Sequence, residues 1–412
     1  MFFFPVKKFI WHLNGFKKKC KKPTCWNNQF HPSQFMEQNN NPFKSFWMAG
    51  YECADMLNAY GERVDMAKIT GHLDRVDDDY DLLKIFNIKT VREGIRWSRI
   101  ESAAYEYDWN EFVKMKRIGL EHGIQQIWDL CHFGFPDGLS PLDSDFEIRF
   151  IDLCRAFVRT FRQVDTTSPI MVVPINEISF ISWLGGDQAG TVPYRRDVGW
   201  KVKYELVKAS ISGIRAMKDL DNNLLVLTTE PLMNVVPPAD IQPDQLLRAA
   251  QVNEYQFQVT DMLEGRCCSE LGGSPHLIDI QGLNYYYNNQ WILDSFQFLP
   301  WANESNDARW KPASSLILDF YKRYEKPVIL SETSHPKEHR PDWLRFIARE
   351  CSLLKDIPFW GVCWYPIIDR PDWDNLSVLH HSGVWEVNDK GTRLLYQPLA
   401  IELEKLASQC NE

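Results

Sequence analysis

Across its 412 residues the chain has no apolar stretch approaching the 18 or more residues of a membrane-spanning helix, so no integral membrane segment is expected. It lacks an excess of positive charge. Lys and Arg number 46 against 55 Asp and Glu, a net charge of −9, which argues against a broad nucleic-acid surface. No G-x-G-x-x-G follows its first apolar run, so the phosphate turn of a dinucleotide-binding open sheet is missing. No C-x-x-C spacing occurs among its 10 cysteines. Adjacent histidines occur only at His380-His381, in an expected loop, so a metal-dependent barrel hydrolase would be short of ligands. Neither a metal nor an organic cofactor is expected.

What is present describes an ordinary globular chain, 44% hydrophobic and 25% charged. Aromatics are plentiful, with 16 Trp, 15 Tyr and 24 Phe. Most should pack the core, but a flat amphipathic ring also covers the apolar face of a sugar at low entropic cost. Cys131, Cys154 and Cys363 lie in apolar runs and read as small buried hydrophobes. Reduced thiols and a cytoplasmic location follow as expectations. The beginning, MFFFPVKKFIWHLNG, is interrupted by lysines, unlike a secretory signal. Residues 20–44 are rich in Lys, Asn, Gln and Pro; residues 1–44 are expected to be an irregular extension, and residues 45–412 a single domain.

From residue 46 short apolar runs alternate with longer amphipathic segments, the pattern of βα units. Eight runs stand out: 46–54, 90–97, 125–131, 170–175, 224–229, 277–284, 327–331 and 359–364. Helical periodicity lies between them. It is clearest over 146–164, where Phe146, Phe150, Leu153, Phe157 and Phe161 recur at spacings of three and four. Segments 204–220 and 343–354 behave similarly. Parallel strands need crossovers, and eight such units over this length predict an α/β fold, a closed (β/α)₈ TIM barrel.

In such a barrel the active site forms where the strands end. The second run contains Arg92 and the third ends near His132. The fourth ends in Asn176-Glu177, the sixth in Asn284-Tyr285-Tyr286, the seventh in Ser331-Glu332-Thr333 and the eighth at Trp364. Polar groups there cost desolvation unless paired, so their accumulation marks a site. Glu177 and Glu332 end strands roughly opposite each other. One such Glu is usually a helix cap or an ion-pair partner. Two, flanked by Asn, Tyr and Arg, fit the carboxyl pair about 5–5.5 Å apart that retaining glycoside hydrolysis requires. Asn176 would then reach a sugar 2-OH, and His132 would donate to another hydroxyl. Arg92 and Tyr286 would orient Glu332, while Glu177 needs surroundings that keep it protonated.

Five segments are familiar in this order. Val91-Arg92-Glu93-Gly94-Ile95-Arg96-Trp97-Ser98-Arg99-Ile100 is similar to R-F-S-I-S-W-S-R-I, and Leu130-Cys131-His132-Phe133-Gly134-Phe135-Pro136 to L-x-H-W-D-L-P. Ile175-Asn176-Glu177 is similar to T-x-N-E-P, Gly282-Leu283-Asn284-Tyr285-Tyr286 to G-x-N-Y-Y, and Ser331-Glu332-Thr333 to T-E-N. Together, from about residue 46 to about residue 385, they resemble the family 1 glycoside hydrolases and their clan of retaining (β/α)₈ enzymes. The resemblance implies Glu177 as general acid/base, Glu332 as nucleophile and Tyr286 as its contact.

There are departures. Gly50-Tyr51-Glu52-Cys53 offers Glu52 where the family has a glycon-binding Gln. The eighth-strand signature W-x-x-x-D-N-F-E-W is met by Trp364 and then Asp369-Arg370-Pro371-Asp372-Trp373, with Asp372 a methylene shorter than the Glu. Ile178 follows the acid/base where Pro is usual, and Glu230 adds an acid after the fifth run. Trp364 and Trp373 are the leading candidates to line sugar subsites, ahead of Trp47, Trp128, Trp183, Trp291 and Trp301. The resemblance implies a retaining, exo-acting β-glycosidase with a carbohydrate as its partner, and the departures imply altered glycon recognition. A transglycosidase using the same two Glu is the alternative. A non-catalytic sugar-binding barrel would be expected to have lost one of them. The sequence carries no signal for oligomeric state.

Overall fold

Short runs rich in Val, Ile and aromatic residues favour strands, and runs apolar on both faces suit a parallel sheet covered by helices. In the computed structural model, which describes residues 32–36, 40–240, 242–295, 297–301, 307–388 and 390–408, all eight runs contain a strand of one parallel sheet. These are β1 (Trp47–Gly50), β2 (Thr90–Gly94), β3 (Gln125–Asp129), β4 (Ile170–Val173), β5, β6 (Gln281–Asn284), β7 (Val328–Thr333) and β8 (Phe359–Trp364). β5 comes in two pieces, Leu224–Val226 and Glu230–Pro231.

The split in β5 is where the sheet closes. Its first piece pairs with β4 through Ile170↔Leu224. Leu227 then bridges to Ile280, and the second piece pairs with β6 through Leu283↔Glu230. β1 pairs with both β2 and β8, so no edge is left and the sheet is a barrel. Pro231 has no N–H to extend the ladder. The sequence expectation stopped at residue 229; the added piece puts Glu230 at the rim.

Crossover helices cover the outside: α1 (Val76–Leu83), α2 (Asn110–Glu121), α3 (Phe146–Val164), α4 (Ile178–Gly186), α5 (Gly199–Lys218), α6 (Gln258–Leu263), α7 (Ala313–Tyr324), α8 (Arg340–Ser352) and α9 (Gln397–Ser408). α3 has the bounds the periodicity predicts, and its five stripe residues are buried. α5 begins five residues earlier than expected. Gly213 on α5 lets it approach α3, because a Cβ there would meet Cys154 and Phe150. α8 runs Arg340–Ser352 against an expected 343–354.

Side chains inside the barrel form their own apolar cluster, with Met48, Ile127, Met171, Val173, Leu227, Ile280, Ile329 and Trp360 among its members. The larger cluster lies between strands and helices. Of the expected N-terminal extension, residues 1–31 and 37–39 lie outside the described residues. Within it, Ser33–Met36 forms one helical turn, and Phe35 packs against Phe46 and Phe359. The seven described cysteines are free. No described helix is long and apolar enough to cross a membrane.

Candidate active site

Arg92 organises the rim. It is 2% exposed and sits inside the barrel, in the middle of β2. A guanidinium carries five N–H donors, and a buried charge must be paired. All five are used. Nε and Nη2 donate to the two oxygens of Asp129 at 2.9 and 2.6 Å. Nη1 donates to Glu332 Oε1 at 2.6 Å and to the Ser331 carbonyl at 3.3 Å. Nη2 also donates to Asn176 Oδ1 at 2.6 Å. One side chain thereby ties β2 to the ends of β3, β4 and β7. Replacing Arg92 with Met should leave Asp129 and Glu332 without their cation and cost about 3–5 kcal/mol of stability. Urea unfolding measures it, and an unchanged midpoint would mean that the network does not hold the rim together.

Glu332 receives a second bond. Tyr286 Oη donates to its Oε2 at 2.7 Å, so each carboxylate oxygen has a strong donor. Burial, and then the neighbouring Glu332, push the Tyr286 phenol well above its ordinary value, which keeps its proton available to donate.

Glu177 is treated in the opposite way. It stands between β4 and α4 in a left-handed conformation, φ 42° and ψ 58°, which a non-glycine residue adopts only when its surroundings impose it. Its backbone N–H donates to the Thr229 carbonyl, and its side chain makes no cap hydrogen bond to α4. The helix-cap explanation for a glutamate after a strand therefore fails here. Asn284 Nδ2 donates to Glu177 Oε1 at 2.8 Å, while Ser331 Oγ donates to Asn284 Oδ1 at 2.6 Å. Burial first, and then the charge of Glu332, hold the Glu177 carboxyl well above the usual carboxylate range. The structure thus brings Glu177, Glu332, Arg92, Tyr286, Asn176 and Asn284 together.

Other expected contacts are differently engaged. His132 is buried, with Nδ1 2.7 Å from Asp129 Oδ2 and Nε2 3.1 Å from the Asn176 amide nitrogen. The network is satisfied when Nδ1 carries the proton, which leaves Nε2 an acceptor. His132 then holds Asn176 instead of donating to a ligand. Asp372 accepts from the backbone N–H groups of Asp374 and Asn375 and faces His380 at 3.3 Å. It shapes its own loop.

Trp364 is a correction. It is 1% exposed and belongs to the cluster between strands and helices, with its indole N–H donating to the Ser382 carbonyl. The inward ring is the next residue, Tyr365, stacked parallel to His132 at 5.9 Å with the Arg92 guanidinium 5.1 Å from its centre. Gly50 on β1 makes this possible, because a Cβ there would overlap the Tyr365 ring. Trp47 and Trp128 are likewise core residues. Trp183, Trp291 and Trp301 are half-buried, and Trp301 donates to His335.

Glu52 is buried and ion-paired to Arg370, with Nε at 2.7 Å. Arg370 also lies 4.7 Å from the centre of the Trp373 ring, which packs edge-on against Phe133. The Trp373 indole N–H is buried without a partner, a donor left available. The sequence reading missed Asp129 and Tyr365, and it treated Arg370 only as a foreign residue. Asp129 did leave a trace, as a charge inside an apolar run.

Cys53, Asp129 and His132 place possible ligand atoms within 4.8 Å of one another. Asp129 is already bonded to Arg92 and His132, and the fixed cation of Arg92 opposes a second one beside it. The group reads as part of the hydrogen-bonded floor.

Other proteins share this architecture. A family 1 β-glucosidase from Thermotoga maritima superposes with a TM-score of 0.69 at 13% identity, covering 90% of this chain and 98% of that one. The chain has the fold of the family 1 β-glucosidases. A β-glucosidase from Exiguobacterium marinum (TM-score 0.68, 14% identity, 88% and 97% covered) and the AHE enzyme from Alicyclobacillus herbarius (0.66, 14%, 82% and 88%) are similar to it as well. No protein-family model and no curated protein sequence matches the chain. At these identities the likeness establishes the fold alone.

Proposed function

We propose that the protein is a retaining, exo-acting β-glycosidase that works by double displacement, with Glu332 as nucleophile and Glu177 as acid/base. The observation that carries this reading is the opposite treatment of two neighbouring glutamates. Glu332 is gripped by a permanent cation and a phenol, which hold its oxygens for attack on an anomeric carbon. Glu177 is buried near that charge and kept protonated, as the donor to a leaving oxygen must be. After glycosylation the departed aglycone makes room for water, and Glu177, now ionised, takes its proton.

Asn176 is oriented on both sides, by Arg92 and His132, and keeps an amide hydrogen for the sugar 2-OH. The Glu52–Arg370 pair and the free Trp373 N–H are the groups proposed to meet the glycon. The burial of that pair supports a closed end and exo action. The Thermotoga neighbour has been crystallised with deoxynojirimycin and with castanospermine, and ligands of this kind are the proposed first probes of binding here. A cytoplasmic location is part of the proposal, and the free described cysteines support it.

The test is a panel of aryl β-glycosides, with the first-formed sugar examined by proton NMR. Turnover with a β-configured first product is expected. An α-configured first product would mean inversion and overturn the double displacement.

A further inference from the structure

One acid at the rim has no part in the chemistry above. Glu230, the first residue of the second piece of β5, is 2% exposed. We propose that Glu230 is a positioning residue for Glu177, bracing the turn that carries the acid/base and setting the charge beneath it. This goes beyond the glycosidase reading and rests on it.

The bracing is geometric. Residues 229 and 230 hold the Glu177 turn at two points. The Glu177 N–H donates to the Thr229 carbonyl at 3.0 Å, and the Ser179 N–H donates to Glu230 Oε2 at 3.2 Å. Between these bonds lies the left-handed backbone of Glu177, a conformation that persists only when its flanks are fixed.

Around Glu177 stand Glu332 from β7, Glu230 from β5, Arg92 from β2 and the Asn284 amide from β6. Facing Glu230 are Ser179 on α4 and Lys203 on α5. Lys203 is itself buried, donates to Gln258, and lies near Asp187 and Cys267. Burial pushes the Glu230 carboxyl up to about 7, against the pull of the Ser179 bond and the Lys203 ammonium. Glu230 therefore loses its proton near neutrality. Once it is charged, the field at Glu177 makes a second ionisation beside Glu332 harder. The acid/base keeps its proton as the pH rises, so the pair titrates as a unit.

Glu230→Gln keeps the size and leaves a carbonyl oxygen for the Ser179 N–H, so it removes charge while retaining the brace. The alkaline limb of kcat/KM is expected to move down by about one pH unit, with the acid side unchanged, as for one unit charge in a partly screened interior. Lys203→Met should move it the same way, because Glu230 then holds its proton longer. A purely structural role would lower kcat at every pH and leave the limb in place. Difference infrared titration reads the Glu177 carboxyl directly, with Glu177→Gln identifying its band, and it needs no turnover. If the Glu177 midpoint is unchanged in both variants, the inference falls. If the midpoint shifts but no aryl β-glycoside is hydrolysed, the glycosidase reading falls and the coupling stands.

Discussion

Glu332→Gly is expected to lose turnover of an activated aryl β-glycoside by at least about 10⁴-fold in kcat, because no covalent intermediate can form. The fold should survive, since Arg92 keeps both bonds to Asp129 and its bond to Asn176 when Glu332 is removed. The deleted side chain leaves a space below the anomeric carbon, bordered by Arg92 and Tyr286. Added azide fits that space, carries the charge both groups are oriented to receive, and attacks from the face the carboxylate used. One displacement then replaces two, and the product is an α-glycosyl azide, which NMR identifies directly. Recovery of turnover with a β-glycosyl azide would remove Glu332 from the nucleophile's place. Undiminished activity without azide would do the same.

The sequence made the barrel legible because its signals are local and repeated. An apolar run of five residues states that a strand is buried, and the stripe Phe146, Phe150, Leu153, Phe157, Phe161 states where a helix begins and ends. The meeting of Glu177 and Glu332, the pair proposed to be catalytic, was legible because polar residues at strand ends are costly and therefore informative. Facing was not legible. The run Phe359–Trp364 is apolar on both sides, so nothing in it says which alternate residues point inward. Since strand side chains alternate, an offset of one residue exchanges Trp364 for Tyr365. Pairing was equally hidden. Glu52 and Arg370 look like two unrelated departures from a resembled pattern, but they are the two halves of one buried ion pair, 318 residues apart in sequence and 2.7 Å apart in space. His132 and Asp372 show the same limit from the other side. A polar residue at a strand end announces that it needs partners, and only the fold shows that the protein itself supplies them.

The second large effect separates the two half-reactions. Glu177→Ala removes the proton donor, so substrates with poor leaving groups should slow by about 10²–10⁴-fold. A dinitrophenyl leaving group needs no proton, and its glycosylation step should stay close to the wild-type rate, driven by an intact Glu332 with Arg92 and Tyr286 in place. Deglycosylation then lacks its base. Rapid mixing should show a burst of one phenolate per enzyme followed by a slow phase, with the glycosyl-enzyme visible by mass spectrometry on the peptide containing Glu332. The alkaline limb of the pH profile, which follows the raised ionisation of Glu177, should disappear with the side chain. Azide should speed the slow phase by attacking the intermediate from the face Glu177 occupied, giving a β-glycosyl azide, the anomer opposite to that from Glu332→Gly. Opposite anomers from the two variants require two carboxyl groups on opposite faces of one sugar ring. A missing burst on the dinitrophenyl substrate, or an unaltered alkaline limb, would take the acid/base role away from Glu177.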